Sequence, residues 1–300
     1  MNPDSSKSPK RRFRKLAEWL IERFVTLNGA LAIIFVALIM AFLLRDGLPA
    51  FRSVSISKFL FGADWYPLSD KFEALPLILG SIAVTLGAIV MAVPVGVAAA
   101  IYLAEIAPVR VREILKPTVE VLAGIPSVVI GFIGMLVLAP WVKSVFGLPT
   151  GMTALTGSIM LAFMAMPTII SISEDAIVAV PRDYGAGALA LGATSWQSII
   201  GVTVPAAKSG IIAAVMLGIG RAIGETMTVL MVTGNAAVIP HSLLQPVRTM
   251  TATIAAEMGE VAQGTPHYFV LFAIGLVLFV MTFIINLAAD LALQRTRVRR

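Results

Sequence analysis

Arg221 and Glu225 are the only charged residues in the apolar run IIAAVMLGIGRAIGETMTVLMVTGN, residues 211–235. Four positions apart, they lie one turn from each other on one helix face, and Thr228 continues that face. A charge in the middle of a bilayer costs about 2.5–3.5 kcal/mol on insertion scales, so such a pair is expected to face a bundle interior or a water-filled path. Two readings of the pair are open. Arg221 lies on an anion pathway, its planar fork matching two phosphate oxygens, with Glu225 holding it in place. Alternatively, the two form a structural ion pair that fixes helix packing. Gly220 and Gly224 add a G-x-x-x-G spacing that lets another helix approach closely.

A second segment, SEDAIVAVPRDYGAGALALGATSWQSIIGVTVPAAKSGI (173–211), is built for contact rather than chemistry. Pro181 suits the first turn of a helix, where its missing N–H costs nothing. Tyr184 follows in that turn, and residues 186–191 are good helix formers. Gly192 permits a sharp change of direction. A second short helix is expected at 195–200, with Pro205 opening the next apolar run. Two short helices joined at a glycine make a knob that fits a groove on a partner, or merely an interfacial link between two spans.

Weaker signals lie elsewhere. Gly124, Pro126 and Ser127, in LAGIPSVVIGF (122–132), are candidates for an inner gate or for a kinked packing site. In RTMTATIAAEMGE (248–260), Thr249, Thr251, Thr253 and Glu257 suit an external mouth, a contact with a binding protein, or a plain solvated helix. His241 and His267 are isolated in sequence and lack ligand spacing, so no metal site is expected. No G-x-x-x-x-G-K-[ST] occurs, so any ATP is hydrolysed on another chain. No nucleophile–base arrangement is evident, and the chain is not expected to be an enzyme.

These residues need a membrane scaffold to position them. The hydrophobic fraction is 58% and the charged fraction 13%, far on the apolar side of globular proteins. Apolar stretches at about 25–44, 78–104, 120–140, 152–172, 207–233 and 268–292 are long enough to cross a bilayer as helices. The net charge of +6 does not point to nucleic acid, because the basic residues sit in the tails and short loops. Lys7, Lys10, Arg11, Arg12, Arg14 and Lys15 precede the first span, and Arg295, Arg297, Arg299 and Arg300 end the chain. Arg110, Arg112, Lys116, Arg182 and Lys208 fall between spans on the same side, the positive-inside pattern of a six-span protein with both termini in the cytoplasm. The first run is too long for a signal-peptide core. The expected organisation is a basic tail (1–24), a first transmembrane helix (25–45), an outer loop (46–77), a transmembrane domain (78–292) and a basic tail (293–300). Trp65, Tyr66 and Pro67 suggest an interfacial aromatic anchor in that outer loop. Prolines 94, 126 and 167 are expected to mark kinks. With no cysteine, disulfides and thiolate metal sites are excluded.

The 173–211 segment resembles the cytoplasmic docking loop of ABC-importer permeases. On the loose pattern E-A-A, three residues, Gly, nine residues, I-x-L-P, aligned at Gly192, the opening is Ala186, Gly187, Ala188 and the end is Val202, Thr203, Val204, Pro205. The family's acidic first position is Ala186 here, which removes the basis for an ionic contact there. GRAIGETMTVLMVTGN, YLAEIAP, LAGIPSVVIGF and SISEDAIVAVP are similar to segments of phosphate-importer permeases, the PstC-type subunits in particular. That resemblance implies an all-α type I ABC-importer permease fold with about six transmembrane helices and a coupling helix, in the inner (cytoplasmic) membrane. It implies that Arg221 and Glu225 matter in phosphate passage. The implied partners are a homologous PstA-type permease, two copies of a cytoplasmic ATPase carrying the ATP and magnesium, and a periplasmic phosphate-binding protein; no cofactor is expected on this chain. A permease for sulfate or molybdate, and a stand-alone ion-coupled transporter, are the alternatives.

Overall fold

A computed structural model describes residues 9–297; the tail residues Lys7, Arg299 and Arg300 lie outside them. Among the described residues, six stretches are long and apolar enough to cross a membrane: Glu18–Arg52, Leu75–Ile106, Ser127–Phe146, Ala154–Val178, Ser195–Ile223 and Pro266–Ala288. The expected six-span, helical architecture is what forms.

In chain order, α1 (Pro9–Gly47) leads through a 3-10 turn and α2 (Ile56–Phe61) into a short hairpin. Its strands β1 (Trp65–Tyr66) and β2 (Lys71–Phe72) are antiparallel, with Trp65 opposite Phe72. Next come α3 (Leu75–Ile101) and α4 (Val109–Ala123). The third span is α5 (Ser127–Ile133) followed by α6 (Ala139–Phe146). The fourth is α7 (Ala154–Val178). The short α8 (Arg182–Ala190) and α9 (Ser195–Ser198) lead into α10 (Val204–Ile223). α11 (Met227–Val232), α12 (Met250–Glu257) and α13 (Pro266–Arg297) complete the chain.

Three π-helical segments, Tyr102–Ile106, Gly134–Leu138 and Ile199–Thr203, share one cause. Each is followed, one residue later, by a proline: Pro108, Pro140 and Pro205. A proline ring crowds the carbonyl four residues back and donates no hydrogen bond to it. The turn before it widens to i→i−5 bonding. At Pro140 and Pro205 the helix is rerouted without breaking, whereas at Pro108 the N–H of Ala107 closes on the carbonyl of Tyr102 at 2.7 Å and the extended Ala107 then ends the span. Pro205 therefore does not open a span: helical structure runs from Ser195 to Ile223. Pro94 and Pro167 sit inside α3 and α7.

α7 is the most buried span and packs between α3 and α10. Lipid offers no hydrophobic drive for helices to associate, so contact depends on close backbone approach at small residues. Ile169 of α7, fully buried, fits between Gly96 of α3 and Gly218 of α10, where added Cβ atoms would come within 2.9 and 2.6 Å of it. Ser158 of α7 donates across to the carbonyl of Val84 at 3.0 Å. By contrast, α1 leans on α13 with no part of its apolar window buried.

Several expectations are corrected. The third span does not begin near residue 120: α4 is a separate amphipathic helix, and the span starts at Ser127. α7 runs on to Val178, so 173–178 is helix rather than loop. Span five is interrupted after Ile223 and does not run unbroken to 233. Gly220 and Gly224 meet no second helix; Gly210 and Gly218 make the close contacts instead. Trp65 is no interfacial anchor, being only 2% exposed within a cluster of Phe59, Phe72 and Leu271. Residues 250–253 are buried, so α12 is not a solvated helix.

A Cβ at Gly210 would lie 2.3 Å from the Cβ of Ala176, an atom that cannot swing away. Gly210→Val is expected to destabilise the α7–α10 contact by about 1–3 kcal/mol, read as a lower thermal midpoint of the detergent-solubilised protein.

Candidate substrate-pathway site at two helix breaks

The residues singled out in span five and in LAGIPSVVIGF converge at one place. α10 ends at Ile223 and α11 starts at Met227; α4 ends at Ala123 and α5 starts at Ser127. The two interruptions, 224–226 and 124–126, meet beside the middle of α7, at Met164 and Thr168. Irregular backbone at membrane depth survives only where protein or trapped water satisfies it. Here side chains do so.

Arg221 donates from one terminal nitrogen to the carbonyl of Ala123 at 3.0 Å and from the other to the Thr168 hydroxyl at 3.2 Å. The first bond caps the carbonyl end of α4, where a cation is favoured. Glu225 does not pair with Arg221, because the helix that would stack them ends between the two. Its carboxylate instead accepts the N–H of Thr228 at 3.1 Å, capping the start of α11. Thr228 does not continue a polar pathway face either. It is 0% exposed, and its hydroxyl donates to the carbonyl of Ser127 at 3.0 Å, tying α11 to the start of α5. Thr251 of α12 donates to the carbonyl of Glu225 at 2.8 Å.

The GRAIGETMT segment thus supplies much of the polar chemistry that a broken helix needs. Arg221 and Glu225 are half-buried, and among the described residues Arg221 bonds only Ala123 and Thr168. A cation held by two bonds at mid-depth, with donors to spare, suits a passing oxyanion. Gly124 and Pro126 form the break itself, and Ser127 is held through its carbonyl.

Toward the α8 end, the carboxylate of Glu174 on α7, 1% exposed, is held by Arg112 of α4 and by Lys116 at 2.6 Å. Lys116 also reaches Asp175 at 2.7 Å. The hydrogen bonds that Lys116 donates to Asp175 and then to Glu174 raise its pKa above the ordinary lysine value of 10.5. Their stabilising effect is therefore present below that value and lost only as the pH rises through the raised one. At the hairpin end, Glu257 gathers Trp65 Nε1 (3.2 Å), Arg248 (2.6 Å) and His267 Nε2 (2.8 Å). Glu257 and His267, apart in sequence and read as separate, belong to one cluster that pins the hairpin to α12 and α13.

The profile described as "Binding-protein-dependent transport system inner membrane component" matches residues 92–298. The chain belongs to this family. It is 40% identical over 292 residues, covering 96% of this chain and 94% of the relative, to the Bacillus subtilis protein named "Probable ABC transporter permease protein YqgH". It is 40% identical over 260 residues, 80% of this chain and 79% of the relative, to "Phosphate transport system permease protein PstC" of Mesorhizobium japonicum. Among solved structures, a bacterial alginate ABC transporter aligns with a TM-score of 0.63 at 16% identity, covering 93% of this chain and 95% of that one. The MetNI methionine ABC transporter aligns with a TM-score of 0.54 at 19% identity, covering 72% and 91%. The fold is that of a type I ABC-importer permease.

In this permease the docking segment forms a knob. Pro181 is the N-cap of α8 and accepts from the N–H of Tyr184 at 3.1 Å. Ala186, Gly187 and Ala188 lie within α8. Gly192 turns the chain with φ +89°, a left-handed conformation that a glycine adopts without strain. Thr194 and Gln197 form a reciprocal capping box at α9. Ser198 donates back to the carbonyl of Gly185 at 3.3 Å, folding the two helices together. Tyr184, Leu191 and Trp196 stay exposed, an apolar surface that suits a partner. Behind α8 lies a cleft of 490 Å³ lined in part by Glu105, Arg112, Pro181 and Thr203.

Residue reading missed Ala123, Thr168 and Glu174, and it placed Thr251 at an external mouth rather than on the carbonyl of Glu225. The backbone carbonyl carries no sequence signal, and threonines are common in apolar helices. Glu174 was legible as an acid near the end of an apolar run, but its partners were counted only as loop charge.

Thr228→Val keeps shape and removes the bond that ties α11 to the Ser127 carbonyl. Losing a buried hydrogen bond of this kind costs about 0.5–1.5 kcal/mol, whereas Thr228→Ser keeps the donor. Valine is expected to lower the thermal midpoint clearly more than serine.

Proposed function

We propose that this chain is a permease subunit of an ATP-driven importer that moves inorganic phosphate inward, with Arg221 on the anion path. The observation that carries the reading is a cation held at mid-depth between two helix breaks, in a chain 40% identical to a PstC phosphate permease over 260 residues. A permease of this family works with an ATPase and a substrate-binding protein, and ATP is hydrolysed off this chain. The finer assembly is a PstA-type second permease, two copies of the ATPase and a periplasmic phosphate-binding protein. Both termini face the cytoplasm, which puts α8 against the ATPase and the hairpin toward the binding protein.

In this mechanism, ATPase closure pushes on α8 and the spans rock from outward-open to inward-open. Phosphate released by the binding protein meets Arg221, whose remaining N–H groups donate to two of its oxygens. Glu225 acts by capping α11, so it sets where the break lies rather than binding the anion. Thr228 is likewise a fastener of the break. Ser127, Pro126 and Gly124 form the opposite lip of the passage.

One arginine does not distinguish tetrahedral oxyanions, so sulfate and molybdate are the competing substrates; a stand-alone transporter would leave the α8–α9 knob without a role. In proteoliposomes holding the whole transporter, ATP hydrolysis is expected to be stimulated by phosphate and not by sulfate. Arg221→Gln is expected to abolish phosphate uptake while the complex still assembles. Normal uptake in that variant would refute the anion-path role.

A further inference from the structure

We propose that Glu174 is a positioning residue for transport. Through Arg112 and Lys116 it sets α4, and through α4 it sets Arg221, linking the α8 knob to the anion path. The proposal rests on the reading of Arg221 given above.

The geometry forms a continuous chain. α4 runs antiparallel along the last part of α7. Near its start, Arg112 and Lys116 grip the buried Glu174. At its other end, the carbonyl of Ala123 accepts the bond from Arg221. No residue of α4 is fully buried, so apolar packing holds it weakly and these polar contacts decide its place. Glu174 lies one turn before Val178, where α7 ends, and Pro181 then caps α8. Ile177 and Val180, on either side of that end, pack with Ala100, Ala207 and Ile211 of α3 and α10. Arg112 also lines the cleft behind α8. A displacement of α8 therefore reaches the end of α7, passes to α4 through three ion pairs, two of them made by Glu174, and arrives at Arg221 as movement of the carbonyl that holds it.

The protein already has reason to keep this carboxylate. A buried charge is tolerated only when paired and bonded, and a neutral side chain there would avoid the requirement. Ser173, next to it, has a buried hydroxyl without a partner and serves as a control site.

The test uses the whole transporter in proteoliposomes, with phosphate uptake and ATP hydrolysis measured per assembled complex. Glu174→Gln is expected to cut uptake per complex roughly tenfold and to remove the stimulation of ATP hydrolysis by phosphate-loaded binding protein. Glu174→Asp should restore part of both. Lys116→Gln, which leaves the Arg112 contact, should give a smaller loss of both. Ser173→Ala should match the unaltered protein.

Wild-type uptake per complex in Glu174→Gln would overturn the proposal, as would a loss that merely tracks the amount assembled. If Glu174→Gln does not assemble, Lys116→Gln decides, and unchanged stimulation there overturns it. Arg221→Gln run in parallel separates the two ideas. Abolished uptake there with normal Glu174→Gln removes only the role of Glu174; normal uptake in Arg221→Gln removes both.

Discussion

A helix broken at membrane depth must find partners for the backbone groups it frees, and the centre of this protein is organised by that requirement. The carbonyl of Ala123 takes a guanidinium N–H, that of Ser127 a threonine hydroxyl, and that of Glu225 another threonine hydroxyl; the N–H of Thr228 takes a carboxylate. Each bond joins a break to a neighbouring element or closes one end of it. Without them, neither interruption would be stable away from water. Where these helices are interrupted, polar side chains satisfy the freed backbone, and the proposed anion path runs through the same irregular, half-buried spot.

The scaffold around the breaks is held by closeness rather than by exclusion of water. Gly96 and Gly218 bring α3 and α10 onto Ile169. Two of the π segments let Pro140 and Pro205 be absorbed without loss of the span, and the third closes its span before Pro108. A tight α3–α7–α10 core gives the breaks a rigid wall, while α4 is attached mainly by charges at one end and a carbonyl at the other.

The hairpin end follows the same logic with different chemistry. Glu257 receives Trp65, Arg248 and His267 in one partly buried cluster, closing the hairpin over α12 and α13. The N–H of Met250 donates to the Ser81 hydroxyl, so the start of α12, with residues 250–253 buried, is part of the core and not a surface loop.

Six spans, the helical class and the α8–α9 knob were legible in the residues alone. Length and apolarity decide a span locally, and Pro181, Gly192 and Thr194 each act on their own turn. The family resemblance was likewise carried by contiguous runs such as GRAIGETMTVLMVTGN. What could not be read was whom a polar side chain meets. Arg221 and Glu225 have the spacing of an ion pair only if the helix continues, and it stops between them. Arg112 and Lys116 look like loop charge until α4 lies against Glu174, and Trp65 looks like a surface anchor until the hairpin folds over His267. Turns and spans are set by neighbours in the chain, whereas a buried charge or a freed carbonyl is satisfied by whichever group lies nearest in space, and only the packing of distant segments decides which group that is.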